Sequence, residues 1–381
     1  MRRIIQNAGK YIVVLGIIIA IIVFNRGITK VQLLADDNTE FAKAVVTGVE
    51  NSDLQGDAGE TDGTTQRVTL LIKSGIFKGQ TIPATSMNGY LYGAHCELGT
   101  KVIAKVSEYN GSVSGSVYNY DRETEIAVLT ALFLGLMWLI GGKKKGFNSI
   151  LALVFTFIVI IMMYVPLMYI GCSPFWAAVI SVIIISVVSI ILIADISKKS
   201  ASAIAGTICG VVVAGIISVV FGKAAHINGN NVDEIESLIY IGQQTRLDVS
   251  NMLYSGMLIA SLGAVMDVAM SVSTTLNELC EVDNTLTFKK LFKSGMNVGR
   301  DMIGTMSNTL ILAFVGSSIN TIMIIYSYSY QMHQIVNMYS IGIEIMRGIA
   351  GTMGIILTVP FTSAIAAVLL SGKKSLKAGK A

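Results

Sequence analysis

Asp267 is the only charge in the run LGAVMDVAMSVSTTL, residues 262–276. A carboxylate held in a membrane span costs about 3 kcal/mol on insertion scales, so such groups face a partner or a cavity and mark ion or proton routes. Helical spacing places Gly256, Ala260, Gly263, Ala264, Ser271, Thr274 and Glu278 on its face, since residues three or four apart share a side. A second stripe runs Asp301, Thr305, Asn308, Thr309, Ala313, Gly316 and Asn320, and a third Glu344, Arg347, Gly348, Gly351, Gly354 and Thr358, with a kink expected at Pro360. Small residues let helices approach and polar ones bond across the contact, so Asp267 is expected to face protein. Depth arithmetic, at about 1.5 Å per residue, brings Asp267 to Asn308 in the inner half of the bilayer. On a transport reading Asp267 is the coupling or binding carboxylate, Ser271 shares its face, and Thr305 and Asn308 form a polar wall. Glu344 and Arg347, three apart, form an outer gate. Arg300 and Asp301 lie at a helix end, where charge is cheap and an ion pair is expected.

The elements that must carry these residues are membrane spans. Of 381 residues 53% are hydrophobic and only 14% charged, and the mean hydropathy is +0.66, which excludes an ordinary soluble domain. Crossing about 30 Å of hydrocarbon takes roughly 20 apolar residues. Runs of that kind lie at 4–24, 126–140 (short), 150–170, 175–194, 203–221, 253–272, 302–325 and 345–370. The fold class is therefore an α-helical polytopic membrane protein of about eight helices. Basic residues mark alternate connections: Arg2, Arg3 and Lys10, then 143–145, Lys198 with Lys199, Lys289, Lys290, Lys293 and Arg300, and finally Lys373, Lys374, Lys377 and Lys380. By the positive-inside rule both termini are cytoplasmic. The net charge of +4 thus reflects topology, and no nucleic-acid partner is indicated. The lipid bilayer is the partner that the composition implies, and it leaves open a protein partner or homo-oligomer. The first run also resembles a secretory signal, but NRGITK after Phe24 lacks a small-x-small cleavage site, so it reads as an uncleaved signal-anchor. The GTICGVVVAG run (206–215) reads as helix packing alone.

Between the first two spans the chain changes character. Segments 42–50, 66–73, 77–84, 100–108 and 112–120 alternate β-branched with polar residues and end at Gly or Asn, which reads as five short strands. They fit a small extracytoplasmic all-β domain, in layout an OB-type barrel. The organisation is a signal-anchor helix at 1–30, a β domain at 31–122 and a seven-helix membrane domain at 123–381. The acidic stretch 50–64 lacks the regular ligand spacing of a calcium loop and reads as a solvated hairpin tip. The four cysteines show no zinc spacing, although Cys96 and Cys172 share the outer side and leave a bridge open. His95, His226 and His333 also fall outside, without a metal-ligand pattern. No cofactor and no metal are expected.

The segments SLGAVMDVAMSVSTTLNEL (261–279) and SGMNVGRDMIGTMSNTLILAFVGSS (294–318) resemble the signature of the YibE/F family of multipass bacterial membrane proteins. EIMRGIAGTMGIILTVPFTS (344–363) is similar to that family's last helix, and the β domain matches in layout alone. The resemblance covers most of the chain and implies a bacterial plasma-membrane protein, but it carries no established activity.

Three classes of function follow from the residues. A permease or exporter of a small solute or ion uses the polar stripes of the last three helices as a route. A binding or assembly protein acts through the β domain and keeps its buried polar groups for packing. An intramembrane aspartyl hydrolase needs paired acids sharing a proton, and Asp301 beside Arg300 lacks that setting, so no enzyme is expected. The topology has a direct check. In intact cells an impermeant thiol probe should label a Thr64→Cys chain and spare a Lys144→Cys chain, and the reverse result inverts the orientation.

Overall fold

The structure is a computed structural model that describes residues 2–29, 39–50, 65–87, 92–109, 111–232 and 235–371. It divides into two compact units, one formed by residues 1–31 with 137–381 and the other by 32–136. The acidic stretch 51–64, read above as a hairpin tip, lies outside the described residues.

In the smaller unit five strands close on themselves: β1 (Thr39–Glu50), β2 (Thr65–Ile72), β3 (Thr81–Met87), β4 (Lys101–Tyr109) and β5 (Ser112–Tyr120). Their order round the barrel is β1-β2-β3-β5-β4, with β3 parallel to β5 and the other neighbours antiparallel. That is the strand order of an OB-type barrel. Every second residue points inward, as a period of two requires, and Ala42, Ala44, Val46, Leu70, Ile72, Val102, Ala104 and Val106 are all at most 2% exposed. Alanine at three of these positions keeps so narrow a barrel filled without overpacking.

The third strand begins later than the expected 77–84, because Gly75 and Gly79 take φ of +81° and +88° and turn the chain first. Beyond the sheet, residues 94–96 are tied in by two buried side chains. Ser86 Oγ donates to the Ala94 carbonyl (2.6 Å) and accepts from its N–H (3.1 Å), while Gln66 Oε1 accepts from the Cys96 N–H at 2.8 Å. Cys96 is buried, which pushes its thiol above the ordinary range. It is a free thiol, as is Cys172.

From Glu123 the chain enters a helix, α2 (Glu123–Ile140), 18 residues long where the sequence suggested a shorter run. The larger unit begins with α1 (Arg2–Arg26). It continues with α3 (Lys143–Val159), a π turn at Ile160–Tyr164, α4 (Val165–Tyr169), α5 (Pro174–Ala194), α6 (Lys198–Ala225) and α7 (Ile235–Gln244). Then come α8 (Val249–Val282), α9 (Phe288–Ser317), α10 (Ile319–Ser327), α11 (Met332–Val336) and α12 (Tyr339–Leu370). Among the described residues seven helices are long and apolar enough to span a membrane, counting α3 to α4 as one, and the pair α9 and α10 makes an eighth. That pair corrects the straight run 302–325: it bends by 62° at Ser318, where Gly316, Ser317 and Ser318 are poor helix formers.

α12 is the centre of the bundle and packs against α6, α8 and α9. Glycines make the close approach possible. A side chain at Gly206 would overlap Thr362 and one at Gly210 would overlap Thr358, while Gly215 takes Leu258 and Gly299 takes Val359. The glycine run of α6 is thus a packing surface, and so is much of the small-residue stripe of α12. Helix α1 belongs to the bundle too. Lys10 Nζ meets Asp195 Oδ1 at 2.6 Å, and the Tyr11 hydroxyl donates to Asn148 Oδ1 at 2.7 Å, whose amide in turn donates to the Leu192 carbonyl.

Because overfilling a close-packed contact costs about 1–3 kcal/mol, Gly210→Val should lower the melting temperature in detergent. Gly304→Ala, whose added carbon meets nothing within 4 Å, should not.

Candidate functional site

Two contacts set α8 against α9. A side chain at Gly295 would meet Leu276, and one at Gly351 of α12 would meet both Leu310 and Ser261. Leu276 to Ser261 and Gly295 to Leu310 are equal steps along the two antiparallel helices, so a single register holds between them. It sets Asp267 level with Gly304, and Asn308 level with Gly263. Asp267 and Asn308 are therefore one turn, about 6 Å, apart along the axis, and no hydrogen bond joins them. The expected contact is corrected by that turn.

The direction in which Asp267 points is corrected as well. Leu262, Val265, Val268, Ala269, Val272 and Leu276 are at most 4% exposed and form the packed face of α8. Gly256, Ala260, Gly263 and Asp267 are exposed, and Ser271 and Thr274 half-buried. The physical reason lies in the partners. The holes of this seam are supplied by α6 and α12, where Gly210 and Gly354 lie against Val265, and Gly215 receives Leu258. Large side chains on α8 fill those holes, so its small and polar face is turned out of the bundle.

α9 repeats the pattern. Leu291, Gly295, Gly299 and Leu310 are buried, whereas Arg300, Asp301, Thr305, Asn308 and Thr309 are exposed. Side chains at Gly256, Gly263, Gly304 and Gly316 would meet nothing within 4 Å. α8 and α9 thus each carry an open strip, with a carboxylate at the middle of one and an amide, a turn away in depth, on the other.

Hydrogen bonding separates the members of these strips. The Thr305 hydroxyl donates to the Met302 carbonyl at 3.1 Å and Thr309 to the Thr305 carbonyl at 2.9 Å, which uses both within their own helix. Arg300 reaches Asn297 Oδ1 at 3.4 Å and makes no ion pair with Asp301 among the described residues, contrary to expectation: adjacent residues on a helix point about 100° apart. Asp267 has no hydrogen-bond or ion-pair partner among the described residues.

Glu344 and Arg347 do meet. Arg347 Nη1 donates to Glu344 Oε1 at 2.7 Å, with the two side chains 35% and 23% exposed respectively. The second oxygen, Glu344 Oε2, is buried without a partner. Gly348 lies against Ile311 and Gly351 against Leu310, so the pair stands about three turns along the bundle from Asp267 and does not touch it. Among the described residues no three His, Cys, Asp or Glu side chains come together to hold a metal.

Sequence reasoning missed the buried polar contacts between helices, such as Ser202 Oγ donating to Ser273 Oγ at 3.0 Å. Tyr164 and Ser255 share a hydrogen bond of 2.7 Å between hydroxyls, and Tyr164 ends the π turn. Pro166, two residues on, was the available signal, because a proline lacks the N–H that a regular α turn needs.

The model of the YibE/F-like protein family matches residues 129–372. The chain belongs to the YibE/F-like family. The match runs from within α2 to just beyond α12, so it contains every polar residue of the two strips, while the barrel lies outside it. No curated protein and no solved structure matches the chain.

Within the YibE/F-like part the Glu344–Arg347 pair is open to a charge test. A lone, partly desolvated charge is worse than a neutral pair, so Arg347→Gln alone should lower stability by about 1–3 kcal/mol. Arg347→Gln combined with Glu344→Gln should recover part of it, both read as melting temperature in detergent. Equal stability of all three chains would place both groups in water.

Proposed function

We propose that this YibE/F-like protein is a non-enzymatic permease or exporter of a small solute or ion in a bacterial plasma membrane. Both termini are cytoplasmic and the barrel is outside, as the basic connections favour. The observation that carries the reading is Asp267: a carboxylate in the middle of a 34-residue helix, exposed and without a partner among the described residues. Structural intramembrane acids pair with another group; an acid left free to bind a cation or a proton suits a route. Asn308, a turn away, is able to donate to a passing acceptor or accept from a donor, and Ser271 lies on the face of Asp267. Thr305 and Thr309 keep a lone pair facing out while their protons are bound to the helix. The Glu344–Arg347 pair stands farther along the same bundle, nearer the outer surface in this orientation, where it serves as a gate.

A second reading has its own observation. On the barrel Phe41 meets Tyr118 edge-on at 5.2 Å and Tyr92 lies 5.9 Å from Tyr118, and all three rings are exposed. Exposed aromatic clusters of this kind mark binding surfaces, which suits a membrane-anchored binding or assembly protein.

One substitution separates the two. In a deletion strain complemented with the wild type or with Asp267→Asn, cellular metabolites and ions are profiled while membrane abundance is checked. Asp267→Asn keeps shape and hydrogen bonding but cannot titrate, so a permease loses function at unchanged abundance. An unaltered profile favours the binding protein, and removal of the three rings then becomes the damaging change.

A further inference from the structure

We infer that the β barrel is seated on the bilayer surface, with the exposed rings of Phe41, Tyr92, Tyr118 and Tyr120 in the phospholipid headgroup layer beside the start of α2. Neither Asp267 nor transport enters into it. Helix α2 is long and apolar enough to span a membrane, but only just. Its 18 residues reach about 27 Å at the helical rise, whereas a bilayer with its headgroups is about 40–45 Å thick. Roughly 7 Å of headgroup layer therefore lie beyond each end of the helix, and any tilt enlarges that remainder. Glu123 and Glu125 occupy the first turn, so the apolar run starts at Ile126, and a short run draws its flanking residues towards the interface. Two extended residues cover about 7 Å. Arg122 and Asp121 use up that distance, which leaves Tyr120, the last residue of β5, at the level of the headgroups.

The barrel has no slack with which to stand off. The Asp121 N–H still donates to the Lys101 carbonyl of β4 at 3.0 Å, and the Ile126 N–H already closes a helical turn on the Arg122 carbonyl at 3.0 Å. Between them Asp121 Oδ1 accepts from the Glu123 N–H at 3.1 Å. Strand thus passes into helix without a linker. From β1, Lys43 pairs with Glu123 and, at 3.9 Å, with Asp121. The barrel and most of α2 belong to one compact unit.

The surface next to this junction suits that layer. The Arg122 guanidinium stands 5.6 Å from the centre of the Tyr120 ring. One pleat back, about 7 Å along the strands, Tyr118 is the next outward residue on β5 and Phe41 the next beyond Lys43 on β1, and their rings meet. The Gly93 N–H donates to the Tyr118 carbonyl at 2.8 Å, which brings the Tyr92 ring onto the same patch. All four rings are exposed. Lys101 and Lys105, exposed on β4 between β1 and β5, add cations for lipid phosphates. Aromatic bodies with polar tips, flanked by Lys and Arg, are what a membrane–water interface accepts.

The test uses the full chain in nanodiscs of equal parts phosphatidylcholine and phosphatidylglycerol, with no other protein that could cover the rings. Trp138 and Trp176, the two tryptophans, are replaced by phenylalanine, and one tryptophan is introduced by Phe41→Trp, Tyr92→Trp or, as control, Tyr109→Trp. Tyr109 is exposed at the opposite end of β4 from Lys101, about 26 Å along the strand. Lipids brominated near the headgroup end of their chains should quench the Phe41→Trp and Tyr92→Trp chains about twofold, as rings in the interface reach the upper acyl chain, and leave the Tyr109→Trp chain unquenched. Adding Phe41→Ser and Tyr118→Ser to the Tyr92→Trp chain should remove most of its quenching. Unquenched emission from Phe41→Trp and Tyr92→Trp overturns the seating and leaves the rings to a soluble partner. Equal quenching at Tyr109 overturns it too, as does quenching of the Tyr92→Trp chain that survives both serines. Failure here is separable from failure of the permease reading, because quenching reports on the barrel and the Asp267→Asn profile on the membrane unit.

Discussion

The arrangement of the membrane unit depends on one fit, the seating of large α8 side chains in notches cut by glycine on α6 and α12. Val265 lies against Gly210 and Gly354, and Leu258 lies in Gly215. In a bilayer, apolar burial does not drive helices together, because lipid tails are as apolar as leucine; dispersion contacts in a close fit do. Once these side chains are seated, the azimuth of α8 is fixed and its opposite face must point out of the bundle. The exposure of Asp267 is a consequence of that fit and not a separate feature.

The same fit explains the unlike fates of three stripes that look similar on paper. On α12, Gly351 and Gly354 are consumed by packing against α9, α8 and α6, and Thr358 donates to the Gly354 carbonyl within its own helix. On α8 and α9 the small residues remain open. What distinguishes them is whether a neighbour supplies a large side chain at the right level. Polar groups follow suit: Tyr164 and Ser255 satisfy each other inside the bundle, and Arg347 pairs with one oxygen of Glu344 on one helix, but Asp267 has no partner among the described residues.

The barrel solves a different problem with different means. Its sheet closes, so no strand edge is left unpaired, and the segment beyond the sheet is held by buried Ser86 and Gln66 in place of a strand ladder. The exposed rings of Phe41 and Tyr118 stand on β1 and β5 of this closed barrel, and that of Tyr92 on the segment beyond β3.

The sequence by itself determined the spans, the strands and the family resemblance, because each is written in local order. A run of roughly 20 apolar residues must cross a bilayer whatever surrounds it, and alternation at period two marks a strand whichever partner it finds. It also identified which residues share a face with Asp267. Only the tertiary structure decided where that face points. Period alone lists the members of two faces on α8, one apolar and one small and polar, and in lipid neither is bound to be inside. The choice was made by glycines on other helices, far away in the chain. Register between α8 and α9 was likewise a matter of contact: depth counted from each helix end missed Asn308 by one turn, an error that only the positions of Leu276 at Gly295 and of Ser261 and Leu310 at Gly351 could remove. The Lys10–Asp195 bridge, 185 residues apart, was illegible for the same reason, since nothing in local order says which distant charge folding will bring near.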